Sequence, residues 1–425
     1  MTNITKLPKS EVKITFQIAP EELAKARKTA VAEFAKEVKI DGFRPGKAPE
    51  HLVVEKFGEE VFTHRAQDIA IQKQFVETAM KENLVPLTRP VSKVLKEEPL
   101  EIEITFAVNP EINLDGYEKI SVPAEKTEVT EAEVQEVLDH VQKRAASYEE
   151  ANDRAAIEGD RVEIDFEGFD EKGESLPSTK SSNHPLVIGE KMFVPGFEEN
   201  VIGMKLGEEK TFEVTFPVDY HEESFKNKKV TFKVTAKNIE KRTVPDWNAE
   251  LVQANSSKSK DFEEYKKEVR DDLEKAKKQQ ASEKRISEYF DKLIEHTNLE
   301  LSDELIAQEA QAMVEDMKKR IADRGIDWDT YLRMTKKEND QIITEFKLKS
   351  DKELKIRFLI RAIIDKEKLE VTPEEVDNEI EKMIAEFDEK KQKQLRKEAA
   401  RNSSQWNQIA NNMLLEKLFA KILPE

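Results

Sequence analysis

Phe193-Val194-Pro195-Gly196-Phe197-Glu198-Glu199 and, after three intervening residues, Gly203-Met204-Lys205-Leu206-Gly207-Glu208 decide how the middle of this 425-residue chain is built. Proline fixes its own φ, and glycine opens backbone angles closed to other residues. The first stretch therefore turns from a loop into a short helix, and the second closes that helix. Seven of the twelve glycines fall between Gly159 and Gly207, and only Gly325 comes later. Turn-rich β structure accordingly belongs in the middle of the chain and long helices at its end. Strands with period-two alternation flank the quoted stretch: Arg161-Val162-Glu163-Ile164-Asp165-Phe166 after Gly159-Asp160, then Lys210 to Phe216 and Val230 to Ile239. Residues 158–243 are thus predicted as an antiparallel β-sheet with one short helix.

The sequence on the N-terminal side, 1–112, opens with alternation in Val12-Lys13-Ile14-Thr15-Phe16-Gln17-Ile18. A helix starts at Pro20-Glu21-Glu22-Leu23, with Ala26, Ala30, Val31, Phe34 and Val38 near one face. Helical stretches at 48–57 and 60–82 follow, then strands near 91–97 and 101–108, so an α+β domain with its helices between the strands is expected. Residues 113–157 read as an extended linker, strand-like from Tyr117 to Pro123, then a helix behind the capping box Thr130-Glu131-Ala132-Glu133. That helix is expected to pack with the C-terminal part. Residues 244–425 are nearly glycine-free. Three apolar stripes at helical spacing (Leu305 to Ile321, Val376 to Phe387, Trp406 to Ile422) predict four to six helices, and no fixed repeat period suggests a solenoid.

The middle segment resembles the FKBP-type peptidyl-prolyl isomerases. The resemblance rests on Gly159-Asp160, Asp165-Phe166-Glu167-Gly168, Val194-Pro195-Gly196-Phe197-Glu198, Gly203-Met204, Gly207-Glu208, Phe216-Pro217 with Tyr220-His221, and Phe232. It implies that the backbone N–H of Val194 holds a substrate carbonyl and that Phe197 forms the pocket floor. Phe166, Phe193, Tyr220 and Phe232 match its walls. Rotation about an X-Pro bond faces amide resonance, a barrier of about 18–20 kcal/mol, and needs no nucleophile. A dry aromatic pocket disfavours the charge-separated amide form, which is why the implied site is mostly apolar. Two positions depart from the family pattern: Leu176, followed by Pro177, and His184, each where an aromatic residue is usual. Reduced or altered isomerase activity is the expectation.

The N-terminal segment holds Asp41-Gly42-Phe43-Arg44-Pro45-Gly46-Lys47-Ala48-Pro49, a tight loop carrying one bulky apolar side chain and two cations. Such a loop suits an apolar groove beside phosphate oxygens. Gly42, Phe43, Arg44, Gly46 and Pro49 match the ribosome-docking signature of the trigger factor family, while Pro45 stands where many members carry a cation. The resemblance runs through all three segments in order. It implies a ribosome-docking N-terminal domain (Gly42, Phe43, Arg44, Pro45, Gly46, Lys47), a middle isomerase domain, and an all-α C-terminal chaperone domain. The large ribosomal subunit near the exit tunnel and nascent or unfolded polypeptides are the implied partners. Dimerisation of free molecules stays open.

Composition sets limits on both readings. The chain has no cysteine, which excludes disulfides and thiolate chemistry. His221-Glu222 has no second histidine at helical spacing, so no metal is expected, and no Gly-x-x-x-x-Gly-Lys loop indicates ATP or another cofactor. No apolar run approaches membrane-spanning length and no signal peptide is seen, so a cytoplasmic location without membrane contact is expected. Residues 1–112 hold 17 Lys+Arg against 18 Asp+Glu, a net of −1, so the remainder carries −17 of the total −18. Only the first segment can approach RNA without strong repulsion. Two rivals remain: a stand-alone prolyl isomerase with a helical oligomerisation domain, and a helical adaptor carrying an inactive isomerase fold.

Overall fold

The computed structural model describes residues 2–37, 43, 49–220, 222–385 and 387–424. The chain divides into two compact units, one formed by Met1–Ala124 with Glu283–Glu425 and the other by Glu125–Ser282. It is an α+β multidomain chain with antiparallel sheets and a helical C-terminal region.

In the first unit, β1 (Thr2–Leu7) and β2 (Glu11–Gln17) precede α1 (Pro20–Glu37), α2 (Glu50–Phe57) and α3 (Glu59–Lys81). Strands β3 (Val91–Lys96) and β4 (Glu101–Ala107) complete a four-stranded sheet of order β1-β2-β4-β3. Alternation in β2 and β4 puts Val12, Ile14 and Phe16 opposite Phe106, Ile104 and Ile102 in the register. All six are buried together with Ala26, Ala66 and Ala70 of α1 and α3. A second cluster holds α2, the helix after the cationic loop. There Phe34 meets Phe57 and Phe62 edge-on at 5.3 and 5.2 Å, around the buried Val53. The β1–β2 turn reaches the helical part of the same unit, where Lys9 pairs with Asp303 at 2.7 Å and Ser302 donates to Glu11 at 2.7 Å.

Tyr117 to Pro123 corrects its strand expectation. Tyr117–Lys119 forms a single 3-10 turn, and Tyr117 and Val122 are buried among Tyr289, Phe290 and Leu293. The backbone carbonyls here accept from side chains instead of a neighbouring strand: Val122 from Arg285 at 2.9 Å and Ser121 from Lys292 at 3.0 Å.

The second unit opens with α4 (Glu131–Arg144), started by the predicted capping box. It continues through β5 (Ser147–Glu150), β6 (Arg161–Phe169), β7 (Ser175–Val187), α5 (Phe197–Val201), β8 (Glu209–Thr215), β9 (Lys229–Thr243) and α6 (Ala249–Asn255). The sheet runs β5-β9-β6-β7, with β8 also paired to β9, and every pairing is antiparallel. Val134 and Leu138 of α4 are buried against Val252, Tyr265 and Val269.

The boundary between the units falls inside α7 (Phe262–Thr297), after which come α8 (Asp303–Ala322), α9 (Trp328–Thr335), α10 (Asn339–Glu367), α11 (Pro373–Ile384), α12 (Glu389–Glu398) and α13 (Ser404–Ile422). The described residues from 244 on thus form eight helices where four to six were expected. The surplus is in short helices such as α6 and α9, of 7 and 8 residues, too brief to display a stripe.

Glu133 gives the second unit an acid-sensitive joint. The Lys277 ammonium, then the Thr130 N–H and hydroxyl, hold its carboxyl down at about 2 from an ordinary 4.5. A carboxylate with a depressed folded-state pKa stabilises the fold fully above its unfolded pKa, and that contribution disappears as the pH falls through the folded value. Glu133→Gln is expected to flatten the difference in Tm between pH 5 and pH 2 (about, on the ordinary carboxylate scale), read by thermal unfolding of both proteins across that range.

Candidate functional site

Phe166, Phe193, Val194, Phe197, Tyr220 and Phe232, drawn from four separate stretches of sequence, line a single cavity of about 480 Å³ in the second unit. Each arrives by a different local device. Phe166 and Phe232 stand on the paired strands β6 and β9, where Phe166 sits opposite Val234 and Phe232 opposite Gly168. Register shifts on either side of Phe166 in its pairing with β7 bend the strand at this point. Gly168 is needed there for close approach, because a Cβ would meet the Thr179 hydroxyl at 2.3 Å. That hydroxyl instead accepts the Gly168 N–H at 3.1 Å and donates to the Leu176 carbonyl at 2.8 Å.

Gly196, with φ of +91°, makes the turn that starts α5 and directs Phe197 inward. Phe197 is fully buried beneath the cavity. Its ring stacks on Phe193 at 4.6 Å and meets Phe232 and Phe166 edge-on at 5.2 and 5.8 Å. Phe216, Phe225 and Tyr220 form the far side, with Phe216 stacked on Phe225 at 5.2 Å and edge-on to Tyr220 at 4.8 Å. Such offset and edge-to-face pairs add about 0.5–1.5 kcal/mol each beyond burial, which keeps the walls rigid. The Val194 carbonyl accepts from the Phe197 N–H at 3.0 Å, while the Val194 N–H has no acceptor among the described residues. A residue with an unused backbone donor therefore lies in the lining of a largely aromatic cavity.

Of the two positions departing from the isomerase pattern, His184 meets Phe166 and Phe193 edge-on at 5.7 and 5.4 Å. Leu176 packs against the domain core. His221 lies outside the described residues. So do Gly42, Arg44, Pro45, Gly46 and Lys47 of the cationic loop; Phe43, which is described, is 40% exposed.

Sequence reasoning overlooked the residue that holds the loop 189–193 in place. Glu198 is only 6% exposed, and its carboxylate accepts four backbone N–H groups. These come from Gly189 at 2.8 Å, Lys191 at 3.1 Å, Met192 at 2.8 Å and Phe193 at 3.3 Å. A buried carboxylate is tolerated where hydrogen bonds replace its lost water, and here they fix the segment that carries Met192 and Phe193 into the cavity. Among the described residues no group of three His, Cys, Asp or Glu is arranged to hold a metal ion, and no helix is long and apolar enough to cross a membrane.

Three family models match successive parts of the chain. The family model of the bacterial trigger factor protein matches residues 1–141, that of its C-terminus 261–424, and that of FKBP-type peptidyl-prolyl cis-trans isomerases 152–237. The trigger factor of Natranaerobius thermophilus is 31% identical over 415 residues, 97% of this chain and 92% of its own. This chain belongs to the bacterial trigger factor family. The trigger factor of Bacillus cytotoxicus is 33% identical over 87% of both chains, and that of Staphylococcus epidermidis 30% identical over 88% and 87%. A solved structure of the trigger factor chaperone aligns over 100% of this chain with a TM-score of 0.48 and 22% identity, too distant to add to the assignment. The aromatic cavity therefore lies within the FKBP-type domain of a trigger factor.

Proposed function

We propose that this trigger factor is an ATP-independent, cytoplasmic chaperone whose FKBP-type domain isomerises X-Pro bonds in the chains it holds. As a trigger factor it is a ribosome-associated chaperone, and the family assignment across both ends of the chain disfavours a stand-alone isomerase with an oligomerisation domain. The observation that carries the isomerase reading is the union of six residues from four separate stretches of sequence around one cavity with an unused Val194 N–H.

In that reading a proline ring enters between Phe166, Phe193, Tyr220 and Phe232, above Phe197. The cavity strips water from the amide, so the planar, charge-separated form loses solvation that the twisted form needs less. The Val194 N–H holds the preceding carbonyl while the C–N bond rotates, and no bond breaks and no proton is transferred. Uncatalysed isomerisation takes tens to hundreds of seconds, long enough to delay a new chain.

Holding is assigned to the helical part. There a cavity of about 640 Å³ is lined by Met313, Met317, Tyr331 and Phe346 of α8, α9 and α10, with Arg320 and Arg324 beside them. Flexible methionine suits varied apolar segments. Docking on the large ribosomal subunit near the exit tunnel is assigned to Gly42–Lys47, in the nearly neutral part of an acidic chain. In a co-sedimentation experiment, the triple variant Phe43→Ala/Arg44→Ala/Lys47→Ala is expected to pellet with ribosomes at least about tenfold less than wild type, as loss of an interface anchor implies. Unchanged pelleting would remove the docking assignment. Catalysis by the same variant of a short Leu-Pro peptide should match wild type, and absence of isomerisation in both would remove the isomerase assignment.

A further inference from the structure

Glu198 takes the N–H groups of Gly189, Lys191, Met192 and Phe193 and passes over Glu190. The side chain of Glu190 has a different partner. Arg242, near the end of β9, donates to its carboxylate from Nη1 at 2.5 Å. The other arm of the same guanidinium, Nη2, donates at 3.0 Å to the backbone carbonyl of Lys143, in the last turn of α4. A cation is favoured at that end of a helix by the helix dipole. The Arg242 side chain is only 9% exposed, and its Nε is buried without an acceptor among the described residues. A buried donor left unpaired is costly, so the two bonds at the tip hold the side chain in place against that loss. The helix it grips is itself fixed: Val134 and Leu138 are buried with Val252, Tyr265 and Val269, and the Gln142 amide donates to the Pro245 carbonyl at 2.7 Å. One buried cation thus joins the loop that carries Met192 and Phe193 into the prolyl cavity to the end of α4.

We infer that Arg242 is a positioning residue for the isomerase reaction, which acts through Glu190 to hold the loop 189–193 in register with α4. The inference rests on the isomerase reading of the cavity. Phe166 and Phe232 stand on strands and Phe197 on α5, so a proline ring keeps its floor and two walls when the loop shifts. Phe193 and the Val194 N–H follow the loop. Loss of Arg242 therefore leaves the ring's binding largely intact and misplaces the groups that act while the C–N bond turns. Misplacement of this kind lowers kcat more than it raises KM. A change at the end of α4 reaches the cavity by the same side chain.

The test uses the full chain and a short Leu-Pro peptide. Arg242→Ala is expected to lower kcat about three- to fivefold and to change KM by less than about twofold. Arg242→Lys keeps the Glu190 pair but has no second arm for the Lys143 carbonyl, and should recover part of the lost kcat. Glu190→Gln, the mildest change, should lower kcat about twofold. The double variant Arg242→Ala/Glu190→Gln should be no slower than Arg242→Ala alone, because the two residues act as one unit. Arg161→Ala is the control: it breaks an ion pair with Glu240, also at 2.5 Å in this sheet, that involves no residue of the loop. It should leave kcat unchanged. Wild-type kcat in Arg242→Ala would overturn the inference, whatever its Tm. So would an equal fall in Arg161→Ala, which would assign the effect to the sheet as a whole, or additive losses in the double variant. Failure of wild type to isomerise the peptide would remove the isomerase reading instead. Hydrogen exchange then still decides the positioning: the amides of residues 191, 192 and 193 should exchange faster in Arg242→Ala and Glu190→Gln than in Arg161→Ala, and equal exchange in all three would show that Arg242 does not hold the loop.

Discussion

Glu198→Ala is expected to loosen the prolyl cavity more than any other single change to a charged residue of this protein. Four backbone N–H groups converge on that carboxylate, and alanine offers them no acceptor. Hydrogen bonds to a charged group contribute about 1.5–3 kcal/mol each when buried. Lys191 and Met192 lie in exposed backbone, so water replaces part of the loss. A destabilisation of about 2–4 kcal/mol follows, in the lower range seen when a buried charge network loses a member. Glu198→Gln keeps one carbonyl acceptor and turns an amide N–H toward the same donors, so it should fall between. The neighbouring Glu199 is exposed and Glu199→Ala should lie within about 0.5 kcal/mol of wild type. Hydrogen exchange on the full chain reads the outcome locally: the amides of residues 189, 191, 192 and 193 should lose protection in Glu198→Ala and keep it in Glu199→Ala. Equal protection in the two variants would show that the loop is held by something other than this carboxylate.

Glu198 also marks where reading the sequence stops. Gly196-Phe197-Glu198-Glu199 announces a turn into a helix, but linear order does not say which of two adjacent glutamates is buried, because the four donors come from the loop before it. The strands show a related divide. β2, β4, β6, β8 and β9 were legible because one face of each is buried and the side chains alternate accordingly. β1, β5 and β7 were not, and all three lie at sheet edges; β3, also an exposed edge strand, was read near 91–97 all the same. Edge strands need no apolar face; β5 is exposed along its whole length, and β7 contains Pro177 and Pro185, which are tolerated only at edges and bulges. Tyr117 was misread for the opposite reason. It has the β-branched and aromatic neighbours of a strand, yet its partners are side chains from α7 and α10, including Glu367, to which its hydroxyl donates at 2.6 Å. The cavity was more legible than its supports. Its aromatic residues were named together through the resemblance to the FKBP-type isomerases, whereas Met192 and Phe225 join the lining through packing that only the fold defines.

Phe197→Leu is expected to separate the two activities assigned to this chain. The ring stacks on Phe193 and meets Phe166, Phe212 and Phe232 edge-on, so it serves both as pocket floor and as the centre of the aromatic cluster. Phe197→Ala would leave a void at a fully buried site and cost about 3–5 kcal/mol, confounding catalysis with folding. Leucine fills most of the volume, removes the π surface, and should cost about 1–3 kcal/mol. A bound proline then loses aromatic contact worth about 0.5–1.5 kcal/mol and meets walls that are no longer pinned by stacking. A fall of about tenfold in kcat/KM for a Leu-Pro peptide follows. Holding should be untouched, because the helical part to which it is assigned, with Met313, Met317, Tyr331 and Phe346 and exposed apolar side chains such as Met334 and Leu348, shares no residue with the prolyl cavity. Scattered contacts of this kind bind weakly one at a time and gain strength by acting together, so release needs no nucleotide. The measurement pairs a peptide isomerisation assay with suppression of aggregation of a chemically denatured protein lacking prolines. If Phe197→Leu suppresses aggregation as well as wild type while isomerising poorly, grip and rotation reside in different parts of the chain. If aggregation suppression falls with the ring, the prolyl cavity is itself the principal grip, and the apolar surface of the helices does not hold clients.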